Sequence, residues 1–234
     1  MRRAHDVGAC KEQYRRAYKA ENMAGLCRVI KDNWGWCCDW VVVTPYLLEK
    51  YRDEFAEQQI YVNVDTDNGF LLASGNATVE AWGNATVRVW DNATVRAWGN
   101  ATVEASGNAT VEASDNATVE ASDNATVRAW GNATAEASGN ATAEASGNAT
   151  VEASDNATVR ASGNATVRAW DNATVLAWSN ATVRAWGNAY CASYSMIKCK
   201  LSEHALHKVR STNTVYFASD DIKFVKQELI QQES

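Results

Sequence analysis

His204 and His207 form an H-x-x-H pair, and Cys191 and Cys199 lie a few residues before it. Imidazole and thiolate groups are the usual ligands of zinc, but a zinc site needs three or four of them converging on one point. The spacing of these four residues matches none of the established zinc patterns. We therefore expect no metal site and no bound cofactor.

Groups suited to catalysis are equally scarce in this sequence. It contains three histidines, none of them in the repetitive central region, and it contains no nucleophile, phosphate-loop or dinucleotide-binding motif. Repeated strands of nearly identical sequence also leave little scope for one unique pocket. We therefore expect a protein that is not an enzyme and has no catalytic residues.

The repetitive centre is the dominant feature of the chain. Asparagine recurs at every eighth position from Asn68 to Asn188, and the fourteen octads from Asn76 to Asn180 begin Asn-Ala-Thr. The consensus octad is Gly/Asp, Asn, Ala, Thr, Val/Ala, Glu/Arg, Ala, Trp/Ser. Repeats of fixed period are typical of solenoids, in which each unit buries its apolar face against its neighbours.

Within one octad the side chains alternate as they do along a strand. Ala77, Val79 and Ala81 fall on one face, and the residues between them fall on the other. The Gly83-Asn84 pair that follows favours a corner, because both residues tolerate positive φ and close tight turns. Each octad is therefore predicted to be a short strand followed by a corner.

The octads can be arranged two or three to a coil. Three would enclose a wide centre that Ala, Val and Ala cannot fill, because protein interiors are close-packed. Two would give apposed sheets and 16 residues per coil. The order of Glu and Arg does not separate these arrangements, since opposite charges dominate at separations of both two and three octads. We predict a mainly β fold, a parallel two-sheet β-solenoid of about eight coils and roughly 38 Å.

In these octads the sequence resembles the octapeptide-repeat β-solenoids of bacteria and their phages. The resemblance covers residues 68–188, about half of the chain. It implies a solenoid fold and carries hardly any implication about function, because one fold hosts many unrelated functions.

A solenoid needs caps, because the unpaired strand edges at its ends invite aggregation. We assign residues 1–66 to a helical N-terminal cap, 67–190 to the solenoid and 191–234 to a small β C-terminal cap. Both flanks lack the octad, and each has a pattern of its own.

In the N-terminal flank, apolar residues at helical spacing predict helices over 9–20 and 22–32. Thr44-Pro45 marks the start of another helix, which runs to about Gln58, and a strand follows over 60–64. Three tryptophans between the helices are expected to form the core of this cap, and they are Trp34, Trp36 and Trp40.

In the C-terminal flank, three short runs have the composition of strands. They cover residues 197–201, 214–218 and 222–225. A small sheet that closes the last coil is the simplest arrangement of these runs.

The acidity of the chain lies in its repeats. Residues 67–190 carry thirteen Asp or Glu against six Arg, a net charge of −7. Duplex DNA of the same length carries about 22 charges at one per ~1.7 Å, so neither mimicry of nucleic acid nor binding to it is expected. The glutamates do cluster, which makes a basic protein a candidate partner for them. The cluster comprises Glu104, Glu112, Glu120, Glu136, Glu144 and Glu152, and the first three are our candidate binding residues.

Seven octads end in tryptophan rather than serine, and these tryptophans are further candidates for partner binding. Five of them follow an arginine by two residues, so cation–π packing between rungs is one interpretation. The other is an exposed aromatic strip that binds a protein, a glycan or a second copy of the chain. The seven are Trp82, Trp90, Trp98, Trp130, Trp170, Trp178 and Trp186.

The Asn-Ala-Thr triplets are formally acceptors for N-glycosylation. We favour a structural role, in which stacked asparagines at the corners form a hydrogen-bonded ladder. The sequence has no secretory signal and no run of about 18 apolar residues, which predicts a cytoplasmic protein with free cysteines and no membrane contact.

These observations together favour a non-enzymatic binding protein that presents a rigid repeat surface to a macromolecular partner. An inhibitor in conflict between bacteria and phages is one form that such a protein takes. A structural or self-assembling β-solenoid is the first alternative. A glycan-binding adhesin or tail-associated module is the second.

Overall fold

The computed structural model describes residues 2–218. Strands dominate this range and form two ten-stranded sheets, sheet A and sheet B, that enclose a thin apolar core. Consecutive repeat strands alternate between the sheets, so each pairs in parallel with the strand 16 residues further along. The predicted two-sheet β-solenoid with about 16 residues per coil is therefore confirmed, and it has about nine coils.

The strands of sheet A are β1 (Ile60–Val62), β2 (Phe70–Ala73), β4 (Thr86–Val89), β6 (Thr102–Ala105), β8 (Thr118–Ala121), β10 (Thr134–Ala137), β12 (Thr150–Ala153), β14 (Thr166–Ala169), β16 (Thr182–Ala185) and β18 (Lys198–Leu201). Those of sheet B are β3 (Thr78–Ala81), β5 (Thr94–Ala97), β7 (Thr110–Ala113), β9 (Thr126–Ala129), β11 (Thr142–Ala145), β13 (Thr158–Ala161), β15 (Thr174–Ala177), β17 (Tyr190–Ser193), β19 (Leu206–Val209) and β20 (Thr214–Phe217).

The repeat strands bury their apolar face, as the alternation predicts. The Val or Ala in the middle of each octad is fully or almost fully buried, and Val103 and Val151 are both 0% exposed. Each lies in register with its equivalent one coil away, so the core is a continuous stack of small side chains. Because burying one valine contributes roughly 1.5–3 kcal/mol, the stack as a whole can offset the entropy of ordering such short strands.

The backbone conformation of the corners explains why the first octad position is nearly always glycine or aspartate. This position has a positive φ throughout the repeats, 70° at Gly99 and 60° at Asp91. Aspartate tolerates this conformation, and its carboxylate also bonds along the stack: Asp91 accepts from the Gly75 N–H at 3.0 Å. The next residue forms the predicted asparagine ladder, in which Asn108 Nδ2 donates to Asn92 Oδ1 at 3.3 Å.

Six short helices precede the first coil. Thr44 begins the fifth of them as predicted, since its hydroxyl accepts from the Leu47 N–H at 3.1 Å and Pro45 takes the first helical position. The helix predicted to reach Gln58 is divided at Tyr51. No helix within residues 2–218 combines the length and apolar character needed to cross a membrane. The six are α1 (Arg2–Asp6), α2 (Lys11–Tyr18), α3 (Met23–Asp32), α4 (Trp34–Asp39), α5 (Pro45–Lys50) and α6 (Arg52–Ala56).

The core of this helical cap merges with the first coil. Trp34 is buried in it, together with Leu72, which occupies an outward position of sheet A that the helices cover. Trp36 packs at its margin, whereas Trp40 is 50% exposed, so the prediction of a core position is wrong for Trp40. The chain turns sharply after α4, with a φ of 55° at Val41, and this turn leaves Trp40 at the surface.

The predicted C-terminal β region is present, but its first strands continue the two sheets of the solenoid instead of closing the last coil as a small sheet. Strands β18 and β19 are parallel rungs, with Cys199 in register with Val183 and His207 in register with Cys191. Among the strands that the structure describes, only β20 is antiparallel, and it pairs with β19. The difference arises because the inward alternation persists here without the Asn-Ala-Thr signature. The strand predicted over 222–225 lies outside the described residues.

Candidate partner-binding groove

The Glu/Arg position of each octad forms one outward column on each sheet. In sheet B the two charges alternate from rung to rung through Glu80, Arg96, Glu112, Arg128, Glu144 and Arg160. In sheet A four glutamates stack without interruption, and they are Glu104, Glu120, Glu136 and Glu152. The 16-residue coil therefore sorts one set of charges into two faces of different character.

The column of sheet B is a continuous ladder of ion pairs. Glu112 lies 3.3 Å from Arg96 on one side and 3.2 Å from Arg128 on the other. Glu144 likewise lies 3.5 Å from Arg128 and 3.1 Å from Arg160. Each pair is exposed and contributes little by itself, but together they leave this face nearly neutral.

In sheet A, arginine reaches only the two ends of the glutamate column. At the N-terminal end Arg88 is paired with both Asp39 of the helical cap and Glu104. A Cβ on Gly35 would lie 2.5 Å from an Arg88 nitrogen, so the absence of a side chain in α4 makes room for this guanidinium. At the other end Arg168 contacts Glu152 at 2.5 Å.

The middle of the column has no such compensation. Within residues 2–218, no Lys or Arg forms an ion pair with Glu120 or Glu136. Both side chains are exposed, and register places each directly beside another glutamate, about 4.8 Å away along the stack. Like charges directly opposite each other destabilise a sheet, so this arrangement is unfavourable for the protein alone.

A groove of about 720 Å³ follows the glutamate column along sheet A. Four serines line it where other octads carry tryptophan, and their small side chains leave the groove open. Trp90 and Trp170 occupy the next rungs of the same column and line its two ends. Asp39, Val41 and Pro45 of the cap form part of its wall. The serines are Ser106, Ser122, Ser138 and Ser154.

The electrostatic environment of the groove is visible at Glu104. Burial next to the cap raises the pKa of this carboxyl above its ordinary value. The Arg88 guanidinium opposes that shift, whereas the negative charges of Glu120 and Asp39 add to it. Burial is therefore the main cause of the raised pKa of Glu104, and the neighbouring carboxylates add to it.

The seven candidate tryptophans form two columns rather than one strip. Trp90, Trp170 and Trp186 follow strands of sheet A, and the other four follow strands of sheet B. Trp170 stacks on Trp186 with ring centroids 5.2 Å apart. Trp82 stacks on Trp98 in the same way at 5.5 Å.

The predicted packing of arginine on these tryptophans is not what the structure has. In the part of the chain that is described, the two cation–π contacts involve Phe70 and Tyr51 of the N-terminal region. Four of the five arginines that precede these tryptophans instead extend along the sheet face to glutamates of adjacent rungs, as Arg128 does to Glu112. An opposite charge in register offers a charge-assisted hydrogen bond, which outcompetes a ring face.

The groove brings together four of the ten candidate residues, namely Trp90, Trp170, Glu104 and Glu120. Glu112 is on the opposite sheet, in the paired ladder. Sequence reasoning missed the contribution of Asp39 and of the serine column. Serines at every second octad between Trp90 and Trp170 were a usable signal, but only once a coil of two octads is known.

The H-x-x-H pair does not converge on a metal site. His207 is buried and its Nε2 lies 2.7 Å from the Ser193 hydroxyl, whereas His204 is exposed. Among the described residues, no three His, Cys, Asp or Glu side chains are arranged to hold a metal ion. The neighbouring Cys191 and Cys199 belong to the core.

Comparison with protein families, with curated proteins and with solved structures finds no match to this chain. Its assignment as a repeat β-solenoid with coils of about 16 residues therefore rests on its own strand register. No similar protein indicates a ligand for the groove, so what it binds is inferred from the residues that line it.

Proposed function

We propose that this protein is a non-enzymatic binding protein and that the groove on sheet A holds a basic segment of a macromolecular partner. The observation that carries the proposal is the contrast between the two charge columns. Sheet B neutralises its glutamates internally, whereas sheet A leaves Glu120 and Glu136 without an ion pair among residues 2–218. A bound cationic segment would relieve the repulsion between them, and this relief would favour association.

The dimensions of the groove suit an extended segment. Trp90 and Trp170 are five rungs apart, a distance of about 24 Å at ~4.8 Å per rung. An extended chain of about seven residues covers that distance at ~3.3 Å per residue. The four serines leave space for it, and the terminal tryptophans offer ring faces on which arginine side chains stack favourably.

Self-association is the second candidate, and a specific feature favours it. Trp130 and Trp178, both on the sheet B side, are 41% and 44% exposed. Exposed large aromatics are frequent in interfaces between protein chains. This candidate predicts an oligomer whose size depends on concentration and on these two side chains.

We also propose a cytoplasmic location. Every cysteine in this chain is a free thiol, including the buried Cys27, Cys37 and Cys38, and thiols persist in a reducing compartment. An inhibitor role in conflict between bacteria and phages extends the binding proposal. Its support is the repeat resemblance together with the rigid charged face.

Binding of a basic peptide would test the proposal directly. The probe is a fluorescently labelled peptide of about seven residues rich in Lys and Arg, titrated with the full-length protein and followed by anisotropy. Replacing Glu120 and Glu136 by Gln removes two charges from the groove. The matched control replaces Glu112 and Glu144 by Gln, which removes two charges from the same octad position on the opposite sheet.

The proposal predicts that the groove variant weakens binding at least tenfold and reduces its dependence on salt, while the control variant binds as the parent does. Equal weakening in both variants would show that net charge rather than the groove attracts the peptide. Absence of binding by the parent protein at low salt would overturn the proposal. A concentration-dependent rise in mass without peptide would support self-association instead.

A further inference from the structure

The last two coils depart from the repeat at its most buried position. Where the octads place valine or alanine facing inward, β17 has Cys191, β18 has Cys199 and β19 has His207. Cys191 is 0% exposed, and Cys199 packs against the same core with part of its surface accessible. The apolar core thus ends in a group of reactive side chains.

The two cysteines occupy facing positions in the core. They are eight residues apart, like the central inward residues of any two consecutive octads, and they lie on opposite sheets. Cys191 follows Val175 in the column of sheet B, and Cys199 follows Val183 in that of sheet A. Both side chains belong to the same core, and a hydrogen bond between the two thiols shifts the pKa of each, so the two thiols are close neighbours.

We propose that Cys191 and Cys199 are a site of oxidative modification, at which a disulfide forms across the core and links sheet A to sheet B. The bond needs side chains that meet across the core, and the register puts both cysteines at inward positions of consecutive strands on opposite sheets. It would close a loop of nine residues that includes the exposed corner Tyr194 to Met196.

The two thiols have different roles in forming this bond. The hydrogen bond between the two thiols lowers the pKa of Cys199, whereas the same bond and burial raise the pKa of Cys191. Cys199 is also the more accessible of the two. It is therefore the thiolate that meets an oxidant, and Cys191 is the resolving thiol.

The oxidant we specify is a low-molecular-weight disulfide such as oxidised glutathione. The Cys199 thiolate attacks one of its sulfur atoms, which breaks that disulfide and releases one thiolate. Cys191 then gives its proton to the released thiolate and attacks the Cys199 sulfur, which expels the second thiolate. That thiolate takes up the proton that Cys199 lost when it ionised. Two protein thiols are oxidised by two electrons, and one small disulfide is reduced to two thiols.

The other four cysteines are not placed for this reaction. Cys37 and Cys38 are buried, and burial raises their pKa values to about 11 and about 12. Burial also raises the pKa of Cys27. Cys10 is exposed but is far from the other thiols along the chain and lies outside the core.

The experiment uses the full-length protein with Cys10→Ser, which removes the exposed thiol that would form adducts. The reduced protein is incubated with excess oxidised glutathione without denaturant, the remaining thiols are alkylated, and intact mass and tryptic peptides are recorded. Trypsin cleaves after Lys198, between the two cysteines, so the disulfide would hold two peptides together. Unfolding is followed by circular dichroism with and without reductant.

We expect loss of two thiols without a glutathione adduct, a Cys191–Cys199 linked peptide, and a reductant-sensitive rise of roughly 5 °C in the unfolding temperature. Variants that restore the repeat residue separate the two roles and should fold. Cys191→Val should keep a stable glutathione adduct on Cys199, and Cys199→Val should acquire no adduct.

Three results would overturn the proposal. One is a glutathione adduct that persists on Cys199 although Cys191 is present. Another is a linkage that involves Cys27, Cys37 or Cys38 instead. The third is that the native protein consumes no thiols although a positive control forms its disulfide. That control carries Val175→Cys and Val183→Cys in a protein from which the native cysteine pair has been removed.

Discussion

Sheet A and sheet B are built from one octad and share one core, yet their outer faces differ in electrostatic character. Sheet B alternates Glu and Arg and pairs almost every charge, whereas sheet A stacks four glutamates between arginines. The difference does not come from composition within the octad. It comes from which octads fall on the same sheet when a coil contains two of them.

The comparison separates a face that serves stability from one that is available for binding. In a paired ladder such as Arg96, Glu112 and Arg128, each ion pair with a neighbouring rung contributes to the stability of the fold. In a stack such as Glu120 and Glu136, each neighbouring carboxylate lowers the stability of the fold. This stack lies beside a groove that small serine side chains leave open. Sites that violate a local stability rule are where function is expected.

The largest effects should come from the shared core, and they should be equal on the two sheets. Val151→Asp in sheet A and Val111→Asp in sheet B each bury an unpaired charge at a position that is 0% exposed. We expect each to lower the free energy of unfolding by about 3–5 kcal/mol in urea titrations. A loss under about 1 kcal/mol at either position would mean that the faces differ inside as well as outside.

Reversing one charge on each sheet should change the stability of the protein in opposite directions. Arg128→Glu places three negative charges in a row with Glu112 and Glu144, and we expect it to destabilise the protein by about 1 kcal/mol at low salt. Glu136→Arg breaks the stack of sheet A and should stabilise by about 0.5 kcal/mol. Both shifts should shrink in 1 M salt, and shifts of the same sign would contradict the comparison.

Two tryptophans of one column should be energetically coupled only where their rings stack. Double-mutant cycles with Trp→Ser, the residue that other octads use, should give about 0.5–1 kcal/mol for Trp82 with Trp98. We expect the same for the stacked pair of sheet A described above. The control is Trp130 with Trp178, which share a column but are three rungs apart and should show no coupling. Coupling in this control would indicate self-association.

The smallest effect concerns the titration of Glu104. Because its pKa is raised in the folded state, folding takes up a proton between the ordinary and the raised pKa, and stability falls as pH rises through that window. Arg88→Met removes the cation that opposes the shift, so the pKa should rise further in a carboxyl NMR titration. A native pKa at or below the ordinary value, or a fall in the variant, would contradict the electrostatic account of the groove.

Much of the fold can be predicted from the sequence, because the same pattern of strand and corner residues recurs in every octad. The strand from Thr78 to Ala81 and the corner after it recur so regularly that one correct interpretation serves all of them. The flanks are harder, since each of their elements occurs once. Residues 198–201 continue sheet A with lysines in place of the octad signature, and sequence reasoning assigned them to the C-terminal cap and not to the solenoid.

The candidate site was predictable only in part. Glu104 and Glu120 were selected for their charge, but Glu112 was selected on the same ground and lies on the other sheet. Asp39 was not selected, because nothing local relates it to Arg88, a residue 49 positions further along the chain.

The sequence by itself determined the unit of this protein, a strand with one apolar face and a corner at Gly/Asp-Asn, since alternation and tolerance of positive φ are local properties. Only the tertiary structure decided which side chains share a surface. Coil length is set by the packing of two sheets across a thin core, and that length stacks Glu120 on Glu136 and brings Cys191 to Cys199. A change of one octad per coil would leave every strand as it is and give each face a different set of charges.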